Sequence, residues 1–250
     1  MFETKLCNNS MEGMFDFYAV NRYNYEKCGR EYRKAMKVDR KETLRYLGYR
    51  GQNPDIQTEE LINEVSEELE QNSLPKSVYR EYDCSIAGNL VQVGPLTVNS
   101  SHLSRNLQGC EKVVILAATI GRCADLMIKK YSVTNMAKAA VVQAAGASAI
   151  ENYVDEVEAE VRKSAEERGL YLRPRFSPGY GDFPLEYQKE VFQLLECSKR
   201  IGVTLTAGNL MMPTKSVTAV IGLTTQKQKS CHQKNCSSCE KTDCEFRLEG

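Results

Sequence analysis

The chain of 250 residues carries no net charge, 33 basic side chains standing against 33 acidic ones. Without an excess of positive charge there is no broad field to hold nucleic acid, and nucleic-acid partners are excluded as an expectation. No apolar run reaches the ~20 residues of a membrane span, and the N-terminus lacks the charged-then-apolar pattern of a signal peptide. No membrane partner is therefore expected. No G-x-G-x-x-G or P-loop follows a predicted strand, so nucleotide binding of those kinds has no support. Tryptophan is absent, which excludes little. Cysteine is plentiful, at ten residues. Without an export signal, that count points to a reducing, cytoplasmic setting where thiols bind metals or lie buried.

The most unusual stretch is Arg173-Pro-Arg-Phe-Ser-Pro-Gly-Tyr-Gly-Asp-Phe-Pro184, with three prolines, two glycines and two arginines in twelve residues. Proline and glycine exclude a helix here, and three prolines exclude a central strand. The expectation is an ordered loop that presents backbone amides, a guanidinium and a phenol on a stiff frame, and therefore a binding surface.

Residues 1–35 read as an N-terminal extension with no chemistry. Over residues 36–225 the pattern predicts one α+β domain, a twisted, largely antiparallel sheet with flanking helices. Asp39 caps a first helix bearing Leu44 and Leu47. Thr58-Glu-Glu-Leu61 opens a second, with Leu61, Ile62, Val65 and Leu69 on one face. Val78–Ile86 and Leu90–Val98 alternate as two strands of a hairpin across Ala87-Gly88-Asn89. Val113–Ile120, the most apolar run, predicts a buried central strand. Thr134 is the expected cap of a long helix reaching about Glu167, alanine-rich at first and then amphipathic with Val154, Val157 and Val161. Glu151, at the border of the two halves, is either a boundary residue or a ligand contact. Asp182 and Pro184 are expected to start the helix after the loop. Val203–Thr206 and Val217–Leu223 close the set as strands.

Three pieces, in order and at consistent spacing over residues 78–223, resemble the activation domain of cobalamin-dependent methionine synthase. Arg175-Phe-Ser-Pro-Gly179-Tyr180 is similar to that family's R-x-x-x-G-Y loop. The long helix with Ala149-Ile-Glu151 is the second piece. Ile201–Thr206 followed by Met212-Pro-Thr-Lys-Ser-Val217 is similar to its I-G-x-x-L-T and M-x-P-x-x-S-V. Gly181-Asp-Phe and Ala207 depart from the family pattern. The resemblance implies reductive reactivation. S-adenosylmethionine would be held against a partner's cobalamin, a flavodoxin or other reductase would supply an electron, and cobalt(I) would take the methyl group. The partner would be a cobalamin-binding methionine synthase or another corrinoid protein, with this chain as a free-standing component of a split system. By the same resemblance, Arg175 would clamp the S-adenosylmethionine carboxylate and Glu151 would pair with its amino group. Gly179 would let the backbone approach the ligand, and Tyr180 would act at the corrinoid as the catalytic-site phenol. Lys215 is expected to be solvated.

Residues 226–250 differ in composition: polar, charged and bearing Cys231, Cys236, Cys239 and Cys244 as C-x4-C-x2-C-x4-C. Too few apolar residues are present to build a core, so a staple is expected. Four thiolates suit tetrahedral zinc or a [4Fe–4S] cluster, and the spacing does not separate the two. A metal-binding adaptor that docks on a corrinoid methyltransferase without S-adenosylmethionine is the alternative reading. The other six cysteines (Cys7, Cys28, Cys84, Cys110, Cys123, Cys197) are expected to be buried or idle.

Overall fold

The computed structural model describes residues 36–49 and 51–226. The predicted extension over residues 1–35 and nearly all of the cysteine tail lie outside the described residues.

The centre is β4 (Lys112–Thr119), flanked by β1 (Lys76–Ala87) and β8 (Ser216–Thr224). With β2 (Leu90–Val93), β3 (Leu96–Asn99) and β5 (Tyr171–Leu172) they form a six-stranded antiparallel sheet in the order β3-β2-β1-β4-β8-β5. Strand residues alternate between faces, and β4 is apolar on both. Val114, Leu116 and Ala118 join one core, and Val113, Ile115 and Ala117 the other. A strand buried on both sides needs this continuous apolar run, which is why it was legible.

Helices α1 (Arg40–Tyr46), α2 (Ile56–Asn72), α4 (Cys123–Thr134) and α5 (Met136–Glu166) lie on the first face. Helices α3 (Ser101–Asn106), α6 (Gln188–Leu195) and α7 (Cys197–Arg200) lie on the second. Small residues in the first half of α5 let its neighbours approach. Ser148 both donates to and accepts from the backbone of Asp39, tying α1 to α5. A Cβ at Gly146 would stand 3.0 Å from Lys215 Cε and 3.4 Å from the Ala124 methyl. The small hairpin β6 (Thr204–Leu205) and β7 (Met211–Met212) stands apart from the main sheet.

Several local expectations are corrected. Asp55 rather than Thr58 caps α2, its carboxylate accepting from the Thr58 amide, and Asn135 rather than Thr134 caps α5. The second strand of the hairpin breaks into β2 and β3. Gly94, at φ +52, turns the chain where a Cβ would meet the Tyr82 ring at 2.7 Å, so a residue lacking Cβ fits there.

Candidate functional site

The loop after β5 runs along the edge of β8. Leu172 pairs with Leu223, the Arg173 amide donates to the Gly222 carbonyl at 2.8 Å, and Phe176 bridges Val220 in both directions. Three steps from Arg173 to Phe176 thus oppose only two from Gly222 to Val220. The extra residue is a β-bulge, a device that re-aims side chains. Side chains two apart on a regular strand share a face. Here Arg173 turns to the α3 side, donating to the Gln108 carbonyl, and Arg175 turns to the α5 side.

Beyond Phe176 a tight turn is pinned at its base. Gly179 N–H donates to Phe183 O at 2.7 Å, Phe183 N–H donates to Tyr180 O at 3.0 Å, and the Ser177 hydroxyl donates to Thr218 O at 2.6 Å. Phe183 is fully buried and stacks on Phe176 with ring centres 6.3 Å apart. Gly179 lies at φ +95, left-handed backbone that favours glycine. Tyr180, 68% exposed, stands at the apex.

Asp182 does not start the following helix. Its carboxylate accepts from the Ser101 and His102 amides and from the Ser100 and Ser101 hydroxyls, with the Ser101 amide at 2.7 Å. It therefore seals the N-terminus of α3, where unpaired amides favour an anion. The Ser100 hydrogen bond, then that of Ser101, holds its pKa well below the usual carboxylate range.

On α5, Glu151, Asp155 and Glu158 stand at i, i+4 and i+7, one face of a helix. All three meet Arg175. Its Nη1 donates to Glu158 at 2.9 Å, and its Nη2 lies 3.3 Å from Glu151 and 2.8 Å from Asp155. The three acids are not equivalent: Glu158 is 8% exposed, whereas Glu151 and Asp155 are each 47% exposed. Glu158 also accepts from Arg162 at 2.5 Å. Burial opposes the Arg175 charge, but Glu158, followed by Asp155 and Glu151, outweighs it and raises the pKa. At Glu151 burial dominates and raises the pKa, against the pull of Arg175.

The structure brings Arg175 and Glu151 together as an internal ion pair and adds Asp155 and Glu158, which sequence reasoning missed. Their spacing was visible, but nothing in the sequence separated them from the other acids of that half of α5. Gly179 and Tyr180 lie in the adjoining turn. Cys231, Cys236, Cys239 and Cys244 lie outside the described residues. Among the described residues, no group of three His, Cys, Asp or Glu is placed to hold a metal, and no helix is long and apolar enough to cross a membrane.

Lys215 reverses its expectation. It is buried, its Nζ donates to Gln143 O at 2.9 Å, and burial lowers its pKa. The described cysteines match theirs: Cys84, Cys110 and Cys197 are buried and Cys123 is half-buried. Burial pushes Cys84 up to about 11 and Cys197 up to about 12, leaving little thiolate at neutral pH.

Residues 111–231, which carry β4, the long helix, the loop and β8, match the family model described as the vitamin B12 dependent methionine synthase activation domain. That segment is similar to the family over just under half of the chain. A crystal structure of the MetH reactivation domain bound to AdoHcy shares the fold, with a TM-score of 0.59 and 16% identity, over 77% of this chain and 76% of that one. A comparison with curated proteins found no match. The shared fold is the antiparallel sheet with flanking helices, and at this low identity the structural likeness establishes the fold rather than the ligand contacts.

Proposed function

We propose that this chain binds S-adenosylmethionine at the Arg175 loop. There it would support reductive remethylation of an inactive cobalt(II) corrinoid carried by a partner, within a split cobalamin-dependent methionine synthase system. The observation that carries the reading is the pairing of Arg175 with Glu151 at 3.3 Å. A guanidinium and a carboxylate at that spacing complement the carboxylate and ammonium of an amino-acid head group. Both partners of the pair are within reach of solvent, so a ligand can enter between them. The relative of the same fold, the MetH reactivation domain, was crystallised bound to AdoHcy, the thioether that remains when S-adenosylmethionine gives up its methyl group.

The chemistry asks for positioning. One electron from flavodoxin or another reductase would convert the partner's cobalt(II) to cobalt(I). The partner's cobalt(I) would supply the electron pair that takes the sulfonium methyl, the electrons of the broken carbon–sulfur bond staying on sulfur. No proton moves, so no general base is required. Holding the two reactants in line is worth about 7–11 kcal/mol in favourable cases. Arg175 and Glu151 would fix the head group, Gly179 would admit close backbone approach, and exposed Tyr180 would face the corrinoid.

The tail supplies a second component of the proposal: Cys231, Cys236, Cys239 and Cys244 would hold a [4Fe–4S] cluster or zinc. A cluster would add an electron carrier to the same chain. Anaerobic purification lacking iron, sulfide and zinc would remove this component. The main reading is tested by mixing the protein with a cobalt(II) corrinoid partner, a reductant and S-adenosylmethionine. A methylcobalt spectrum is expected only when all four are present. Its absence under reducing conditions, with S-adenosylmethionine bound, would overturn the reading.

A further inference from the structure

Arg175 already holds a carboxylate where a ligand's carboxylate would bind. Asp155 lies 2.8 Å from Nη2, and Glu151 shares that nitrogen at 3.3 Å. Nη1 is occupied separately by Glu158, the buried member of the set. The guanidinium therefore has an anchored end and an exchangeable end. At the exchangeable end an incoming carboxylate must first displace an internal one.

Asp155 has somewhere to go. It lies at the border of two faces of α5. On one side is Arg175, and on the other a shallow cleft of about 430 Å³ lined by Lys37, Asn152, Asp155, Glu156 and Ala159. Asn152 donates to the Lys37 carbonyl at 3.2 Å, fixing that segment against α5. The Lys37 ammonium is 70% exposed and pairs with Glu70 at 3.2 Å. A half-exposed aspartate that leaves Arg175 can thus turn into a cleft that Lys37 also lines.

We infer that Asp155 is an internal competitor for the ligand carboxylate, released toward Lys37 when a zwitterionic amino-acid head group binds Arg175 and Glu151. This rests on the reading that Arg175 grips that head group. It deepens that reading by naming what the ligand displaces. Glu158 stays in place as a positioning residue for the guanidinium. Glu151, left behind, meets the ammonium. The head group then replaces one internal ion pair with two external ones, whereas a ligand without a carboxylate gains nothing from displacing Asp155.

Calorimetric titration of the full chain tests this. Asp155→Asn should bind S-adenosylmethionine about threefold to tenfold more tightly than wild type, the scale of one partly exposed ion pair. With decarboxylated S-adenosylmethionine the gain should vanish or reverse, because the variant then only loses negative charge near a cation. Lys37→Ala, at an exposed side chain that does not threaten folding, should weaken S-adenosylmethionine binding by about twofold. Wild-type binding with equal or weaker binding by Asp155→Asn would overturn the competitor role while leaving the ligand assignment intact. If neither wild type nor Asp155→Asn binds S-adenosylmethionine, the ligand assignment fails and the competitor role fails with it.

Discussion

Arg175 Nη1 donates to Glu158 Oε2 at 2.9 Å, and the other oxygen of that carboxylate accepts from Arg162. This joins the loop to α5 through a nearly dry carboxylate between two guanidinium groups. The contact does what packing cannot, fixing the azimuth of a long flexible side chain. Glu158→Gln should cost about 1–3 kcal/mol in urea denaturation, since a buried charge-assisted hydrogen bond is lost. It should also weaken S-adenosylmethionine binding several-fold. Unchanged stability together with unchanged affinity would show that Arg175 is held by something else.

Gly146 and Lys215 form a second complementary pair. A methyl group at Gly146 would press on Lys215 Cε at 3.0 Å. Gly146→Ala alone should destabilise the domain by about 1–3 kcal/mol through overpacking. In a Lys215→Ala background the same change should be neutral or stabilising, because alanine favours a helix over glycine by about 1 kcal/mol. Thermal melts of the four proteins give the coupling. Simple additivity would contradict it.

Lys215 also sets an alkaline dependence. Burial lowers its pKa in the folded state, so the unfolded chain binds the proton more tightly than the folded one. Stability should therefore rise with pH in the window below the ordinary lysine value of about 10.4. In denaturation at stepped pH, that rise should be smaller in Lys215→Met.

Asp182 sets the opposite edge. Its folded-state pKa is depressed, chiefly by the Ser100 hydrogen bond. Its contribution is therefore complete above the unfolded value of about 3.9 and fades as pH falls toward the folded one. Asp182→Asn should be less stable than wild type at pH 7, with the gap narrowing below about pH 4. A gap that does not change with pH would contradict an ionised cap on α3.

Legibility followed the kind of force involved. The double-sided apolar run of β4 and the valine stripe of α5 were plain, because burial writes a periodic signal into sequence. The bulge between Arg173 and Phe176 left no such signal, since it is set by the register against β8 more than forty residues away. Asp182 sits where a local cap would sit, yet its partners Ser100 and Ser101 lie about eighty positions earlier. Lys215 looked solvated because its burial depends on the space left by Gly146 in another helix. Arg175 and Glu151 were singled out through motif resemblance, whereas Asp155 and Glu158 became distinguishable only once the loop was laid on α5.

The central claim is that Arg175 grips the carboxylate of an amino-acid head group. A crystal structure of the full chain with S-adenosylhomocysteine tests it most directly. The account predicts the ligand carboxylate on Arg175 Nη2, its ammonium near Glu151, Glu158 unmoved on Nη1, and Asp155 turned away. A ligand bound elsewhere, with Asp155 and Glu151 still paired to Arg175, would contradict it.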